Sequence, residues 1–263
     1  MATQQMIEMA LKPPSYRLGE LTWEEAREAL READFVVLPT GSFEQHGLHL
    51  PLLTDSIRAE HLSEEVAKRA WESGIRVLLL PVLYYGVSEH HMRFPGTVTL
   101  RPEVYVEVVV DIGRSLARHG VRRFVVLNFH GGNLAPLQLA VTRLRTEVGI
   151  SAYLVHWTRV ARNAIQELLQ PLEPWGHACE HETSMVMLYR PELVKMERAR
   201  RPRVDSAAMS AREAGAFVYF DELSDTGGLG DPTRADPEKA REVVRRATDR
   251  IVELLRKLLD AGG

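Results

Sequence analysis

Four short apolar runs, each followed by a stretch patterned as helix, leave this 263-residue chain few folds to choose from. They are DFVVLPT from Asp34, IRVLLLPV over 75–82, VRRFVVLN over 121–128 and the run over 150–157. Runs this short, rich in β-branched residues and bounded by glycine or proline, read as buried strands. The stretches between them carry helix signals. Thr22 with Glu25 three residues on is a capping-box pattern for a helix to about Ala33. Asp55 can cap a second helix, whose Ile57, Leu62, Val66 and Ala70 recur at helical spacing. Pro102 opens a third, stopped near His119-Gly120. Asn133 can cap a fourth, with Leu134, Leu137, Val141, Leu144 and Val148 on one face. A fifth runs to about Gln170, and Asp236-Pro237 begins the last, which buries Val243, Val244, Ile251, Leu254, Leu255 and Leu258. The stretch 191–213 reads as irregular and AFVYF as β-rich. With no repeat, linker or composition break, the alternation predicts one α/β domain over 1–263. Its sheet is mostly parallel, with helices on both faces. A loosely structured arm over 1–20 precedes it, where Pro13-Pro14 resists helix.

Composition narrows the function classes. A net charge of −3 with mixed signs argues against a nucleic-acid-binding surface. No apolar run approaches the roughly 18 residues needed to cross a bilayer. The N-terminus lacks a basic segment followed by a long apolar one, so no secretory signal is expected. The single cysteine, Cys179, excludes an intramolecular disulfide and is expected to be structural. These features predict a soluble, cytoplasmic protein. The basic cluster MERARRPR reads as a solvated face.

In parallel sheets the ligand crevice lies beyond the carboxyl ends of the strands. Three polar loops should therefore share one rim: those after Thr40, after Val82 and after Asn128. The first, TGSFEQHGLHLPLLTD, holds Glu44, His46, His49 and Asp55. Carboxylate and imidazole are ligands that Zn²⁺, Mn²⁺ and Fe²⁺ accept, although the same loop could be a polar surface connection. If it is extended, Glu44 and His46 face one way and Gln45 the other. His130 precedes Gly131-Gly132 and either projects into the crevice or fills space beside a tight turn. On one rim, Glu44, His46, Asp55 and His130 offer two nitrogens and two carboxylates. HACEHETS adds His177, Glu180, His181 and Glu182. In a helix from about 180 the two glutamates point to different faces, while Thr183 and Ser184 support the backbone or neighbouring side chains. His49 is a ligand or, as expected here, an outer hydrogen-bond partner. His61, His119 and His156 are expected to serve structure; His90 and His181 stay open. Arg58 and Arg93 either meet an anionic group or lie on the surface.

The segments GSFEQHGLHLPLLTD, YGVSEHHMRFPGT, LNFHGGN, HACEHETS and GGLGDPT follow one another between about Glu20 and Ala240. Through them the chain resembles the creatininase (creatinine amidohydrolase) family. The resemblance implies a three-layer αβα fold, a metal-dependent amidohydrolase and, commonly, a homohexamer. It implies metal-binding positions at Glu44, His46, Asp55 and His130, with Asp55 bridging two divalent ions. His177 matches a histidine of proton transfer, and Ser88 and His91 lie in a loop that faces substrate in relatives. Creatininase proper has Tyr-Glu after the strand-end histidine, and that glutamate is a ligand. Gly131-Gly132 here resembles the branch with formamidopyrimidine deformylases and precursor-peptide peptidases, and Glu182 is the candidate for the missing carboxylate. Phe129, Leu48 and Cys179 also replace more usual residues.

The expected activity is hydrolysis of a C–N bond in a small amide, cyclic amide or formamide through a metal-bound hydroxide. Two ions of Zn, Mn or Fe per chain would be held by Glu44, Asp55 and His130 and by His46, Asp55 and Glu182. His177, with Glu182 as the second catalytic group, would give a proton to the leaving nitrogen. Trp175 and Trp157 wall the substrate pocket or simply pack. GGLGDPT is expected near the site. The competing readings are a single-metal deformylase or peptidase of the same family, or a non-catalytic oligomer clamped by metal. The expected partners are a small-molecule substrate and further copies of the chain, with neither nucleic acid nor membrane.

Overall fold

The structure is a computed structural model that describes residues 15–262. Four parallel strands form the sheet: β1 (Phe35–Thr40), β2 (Val77–Leu79), β3 (Arg123–Asn128) and β4 (Ser151–His156), in the order β2-β1-β3-β4. Thr40 pairs with Asn128 and Asn128 with His156, so β1, β3 and β4 end level with one another. That shared edge is where the polar loops emerge.

Around the sheet lie α1 (Trp23–Glu32), α2 (Thr54–Glu72), α3 (Pro102–Arg118) and α4 (Leu134–Arg143), the last continued by a π turn over Leu144–Val148. Then come α5 (Trp157–Leu168), α6 (Glu180–Tyr189), α7 (Ser206–Glu213), the short α8 (Phe220–Leu223) and α9 (Pro237–Asp260). Strand side chains alternate between faces. Phe35 and Val37 of β1 join Val125, Leu127 and Val155 against α2, α5 and α9. Val36 and Leu38 join Leu78, Phe124 and Val126 against α3 and α4. The result is the expected three-layer αβα arrangement. Each fully buried Val, Leu or Ile contributes roughly 1.5–3 kcal/mol relative to exposure.

The Thr22 capping box forms, with the Thr22 N–H donating to Glu25 Oε2 at 2.7 Å. Asp236 caps α9, accepting from the Glu238 and Lys239 N–H groups. Other expectations need correction. Asp55 does not cap α2: Leu53 holds the N-cap, and the Asp55 carboxylate turns inward to Ser42 Oγ at 2.7 Å. Asn133 does not cap α4 with its side chain. Its Oδ1 accepts from the Val87 N–H and its Nδ2 donates to the Gly41 carbonyl, which ties the three rim loops together. AFVYF forms no strand and leads into α8, and α7 forms inside the stretch expected to be irregular, with Asp205 accepting from the Ala208 N–H.

Of the expected arm, residues 1–14, including Pro13-Pro14, lie outside the described residues. Arg17 bridges to Leu79 of β2, and Leu18–Glu20 form a 3₁₀ turn. Among the described residues no helix is long and apolar enough to cross a membrane.

Candidate metal centre

Two glycines decide how closely the rim loops approach. A Cβ at Gly41 would lie 2.7 Å from the Ser56 backbone, so only glycine lets β1 exit across the start of α2 and bring Ser42 to Asp55. A Cβ at Gly132 would lie 2.2 Å from the Val87 carbonyl oxygen and 2.5 Å from His130 Nε2. A side chain at 132, a glutamate included, would displace both.

On this rim Glu44, His46, Asp55, His130 and Glu182 converge, none more than 4% exposed. His130 Nδ1 lies 3.2 Å from Glu44 Oε1 and 3.0 Å from Asp55 Oδ2. His46 Nε2 lies 3.3 Å from Asp55 Oδ1 and 3.9 Å from Glu182 Oε2. The opposite nitrogen of each ring faces a backbone carbonyl, His130 Nε2 that of Val87 at 3.0 Å and His46 Nδ1 that of Glu44 at 3.2 Å. Those bonds hold each ring with its other nitrogen toward the carboxylates, as imidazoles that hold metal are usually oriented. Both Glu44 oxygens and His46 Nε2 have no hydrogen-bond partner among the described residues. Buried atoms left unpaired are costly, and bound divalent cations would satisfy them. Ligand atoms of Glu44, His90 and His130, of Glu44, His46 and His177, and of His46, Asp55 and Glu182 each lie within 4.8 Å of one another.

The electrostatics agree. Burial pulls the His46 and His130 pKa values down, but the carboxylates outweigh it and raise both, Asp55 leading at His46 and Glu44 at His130. Burial would raise Asp55, yet Arg58 and His46 hold it well below the usual carboxylate range. Burial raises Glu182 against the pull of Arg58. The rim is a concentrated negative field with histidine nitrogens facing into it.

The neighbours complete the picture. His177 Nε2 donates to the Gln45 carbonyl at 2.8 Å, Nδ1 lies 3.8 Å from Glu44 Oε1, and burial with nearby His46 pushes its pKa well down. His91 Nε2 lies 3.3 Å from Glu44 Oε1, and its ring is 4.3 Å from that of His177. Ser88 Oγ lies 3.5 Å from His130 Nε2. Gln45, expected to face away, is buried; its amide lies 2.8 Å from His91 Nδ1 and donates to the Gly227 carbonyl at 2.8 Å. The GGLGDPT loop thus lies against the cluster. His90 stacks over His130 at 5.6 Å, whereas His49 turns to Thr183 Oγ1 at 2.8 Å and joins none of the ligand groups.

Trp175 is half-buried, edge-on to His181 at 5.3 Å. Trp157 is fully buried, stacked on Phe129 at 5.9 Å, and belongs to the core. His181 Nδ1 lies 2.8 Å from Cys179 Sγ, and burial raises that thiol's pKa. Arg93 is a surface residue, paired with Glu222 at 2.7 Å and lying over the Tyr219 ring. Arg58 is fully buried and meets the carboxylates of Asp55 and Glu182. Phe220, which no local sequence pattern distinguishes from a core aromatic, packs on His91 at 4.1 Å and His177 at 4.8 Å.

A parallel α/β sheet whose carboxyl edge carries buried, unpaired imidazole and carboxylate atoms has the makings of a metal-dependent hydrolase. Residues 19–255 match the family model Creatininase, described as creatinine amidohydrolase, and the chain belongs to that family. It is 33% identical over 242 residues to the mycofactocin precursor peptide peptidase of Mycobacterium tuberculosis, covering 88% of each. It is 34% identical over 199 residues to the creatinine amidohydrolase of Pseudomonas putida, covering 69% of this chain and 74% of that protein. A solved Bacteroides fragilis protein named for creatinine amidohydrolase matches with a TM-score of 0.80 at 26% identity, covering 93% of this chain and 96% of that one. A creatininase with manganese matches at 0.76 and 27% identity, covering 92% and 98%, and a creatininase variant is described as a Zn–Zn type. The chain is accordingly a creatininase-family amidohydrolase, a hydrolase of amide-type C–N bonds.

Proposed function

We propose that this hydrolase needs divalent metal and cleaves the C–N bond of a small amide, cyclic amide, formamide or peptide-derived amide. The observation that carries the reading is the set of orphaned, buried ligand atoms: both oxygens of Glu44 and Nε2 of His46, with His130 Nδ1 beside them. Glu44, Asp55 and His130 would hold one ion, and His46, Asp55 and Glu182 a second, with Asp55 common to both. Such ions, when bound, supply Lewis acidity toward a carbonyl oxygen and acidify water near neutral pH. The protein's own groups do the rest. His177, kept neutral by burial, accepts a proton from the attacking water at Nδ1 and passes it to the departing nitrogen. Gln45 fixes that ring through its backbone carbonyl. Ser88, His91 and, from the outer wall, Trp175 would contact substrate, and Phe220 limits the space over His91 and His177.

Creatinine is disfavoured as substrate because Gly132 carries no carboxylate and has no room for one. The peptidase relative matches over more of the chain than the creatinine amidohydrolase does, which favours a peptide-derived amide. The test is metal content per chain by elemental analysis, with hydrolysis of creatinine, formamides and short peptides before and after chelation. Up to two ions per chain, and activity lost on chelation and restored by Zn²⁺, Mn²⁺ or Fe²⁺, are expected. Glu44→Gln should lose about 100-fold or more in activity, beyond what losing an outer partner typically costs. A protein that takes up no ion and gains no activity from any of the three would reject the proposal.

A further inference from the structure

The arginine that meets the metal-type cluster has a place that packing does not explain. Arg58 is on α2, one turn after Asp55, and it is fully buried. A guanidinium is normally kept wet, and burying one is costly unless its charge is used. Its Nε and Nη1 have no hydrogen-bond partner among the described residues, so the side chain is not there to satisfy its own donors. One nitrogen, Nη2, does the contacting: it meets Asp55 Oδ1, lies 2.8 Å from Glu182 Oε1 and 3.4 Å from the Phe129 carbonyl. The face of Trp157 lies 5.5 Å from the guanidinium and closes off one side.

Glu182 comes from α6, far along the chain from the loop that carries Glu44 and His46. Its Oε2 accepts from the Ala178 N–H at 2.5 Å and faces His46 Nε2 at 3.9 Å. Ala178 itself stands in the left-handed region, at φ 49°, which aims that N–H at the carboxylate. The other oxygen, Oε1, is the one Arg58 holds. Remove that contact and the one hydrogen bond left to Glu182 among the described residues is the Ala178 N–H, with His46 Nε2 and His181 Nε2 each 3.9 Å away, against the like charge of Asp55. At Gly132, where creatininase proper has a ligand, the chain has neither carboxylate nor space for one.

We propose that Arg58 is a positioning residue: it splints Glu182 to Asp55 so that α6 supplies the carboxylate which the Gly131-Gly132 turn cannot. The inference rests on the reading of Glu182 as a ligand in the preceding section. Arg58 touches no ion and no substrate in this scheme. It acts through Glu182, on the oxygen opposite the one that faces His46, while on Asp55 it shares Oδ1 with His46.

The test is Zn²⁺ binding by chelator competition, with elemental analysis, on the wild-type chain and on Glu182→Gln, Arg58→Met and Arg58→Lys. The unfolding midpoint of each chelated protein reports whether it is folded. Arg58→Met is expected to match Glu182→Gln in the weaker binding step, about tenfold or more below wild type, the size typical of losing a ligand's outer partner. The tighter step, which Arg58 reaches only through Asp55, should change less. Arg58→Lys, which keeps the charge on a single shorter arm, should recover part of the loss. If Arg58→Met does not fold, the comparison of Arg58→Lys with wild type decides. Wild-type affinity in Arg58→Met or Arg58→Lys alongside weakened Glu182→Gln, or tighter binding in Arg58→Met, overturns the role given to Arg58. Wild-type affinity in Glu182→Gln overturns the ligand reading on which it rests, and no ion on the wild-type chain overturns the metal-dependent function as a whole.

Discussion

His46 and His130 each give one ring N–H to a backbone carbonyl and turn the other nitrogen to carboxylates. The field that would hold a cation therefore also attracts protons, and the two compete. Both imidazoles are raised above the ordinary histidine value by Asp55 and Glu44, against the pull of burial. As pH falls, protons displace the ion, so the apparent metal affinity should weaken steadily from above about pH 6.5, the free histidine value. In the chelated protein the sign reverses. The two protonated rings stabilise the fold fully below the unfolded-state value, and that contribution is lost as pH rises through their raised pKa values. Zn²⁺ affinity at pH 6, 7 and 8 checks the first statement, and an affinity independent of pH would contradict it. At this scale, residue type and spacing in the opening loop made Glu44, His46 and Asp55 readable. Gln45 was misread because strand alternation does not extend into an irregular loop, where Gly47 has φ 65°. Arg58 was undecided because its helix pattern is satisfied whether it lies inside or outside; only the neighbouring α6 settles it.

Elements were legible where a local rule has no competitor. Thr22 and Asp236 cap as their spacing predicts, since nothing else nearby claims their oxygens. Asp55 and Asn133 look equally good as caps, but the cluster takes the first and the rim hydrogen bonds take the second. AFVYF has strand propensity without a strand to pair with, and such propensity depends on neighbours. Its last residue instead opens α8, with Asp221 and Glu222 in the first turn, where acidic side chains suit the helix dipole. The tight turn after β3 permits a sharp prediction. Gly132→Ala forces a methyl toward the Val87 carbonyl and His130 Nε2, so it should cost about 1–3 kcal/mol, as overpacking does. It should also lower metal affinity by moving His130, whereas Gly131→Ala, with nothing within 4 Å of its Cβ position, should do neither. Urea unfolding and chelator competition on both variants measure the contrast.

For the molecule as a whole, alternation of strand and helix sufficed to predict a parallel sheet with two helical layers. It could not supply the strand order β2-β1-β3-β4, because pairing between distant runs leaves no local trace. The cluster inherits that non-locality: its pieces sit on the loop after β1, the start of α2, the end of β3 and the start of α6. Two ions that share Asp55, each held from three of these pieces, would pin all four together only in the folded state. Saturation at 100 times Kd should raise stability by about 2.7 kcal/mol per site. Thermal unfolding with graded Zn²⁺ should therefore show a midpoint that climbs with metal concentration, and a midpoint indifferent to metal would speak against a site shared among elements.

The wide separation of these pieces also bears on how the protein is made. At about 5–20 residues per second, a ribosome finishes His130 several seconds before Glu182. During that interval the nascent chain already exposes imidazoles and carboxylates, which bind copper or nickel more tightly than manganese by their chemistry alone. Shape can discriminate only after α6 and the 227–230 loop have docked. Metal identity would thus be decided at the end of biosynthesis, and expression of the same chain in media differing in trace metals would leave different ions behind.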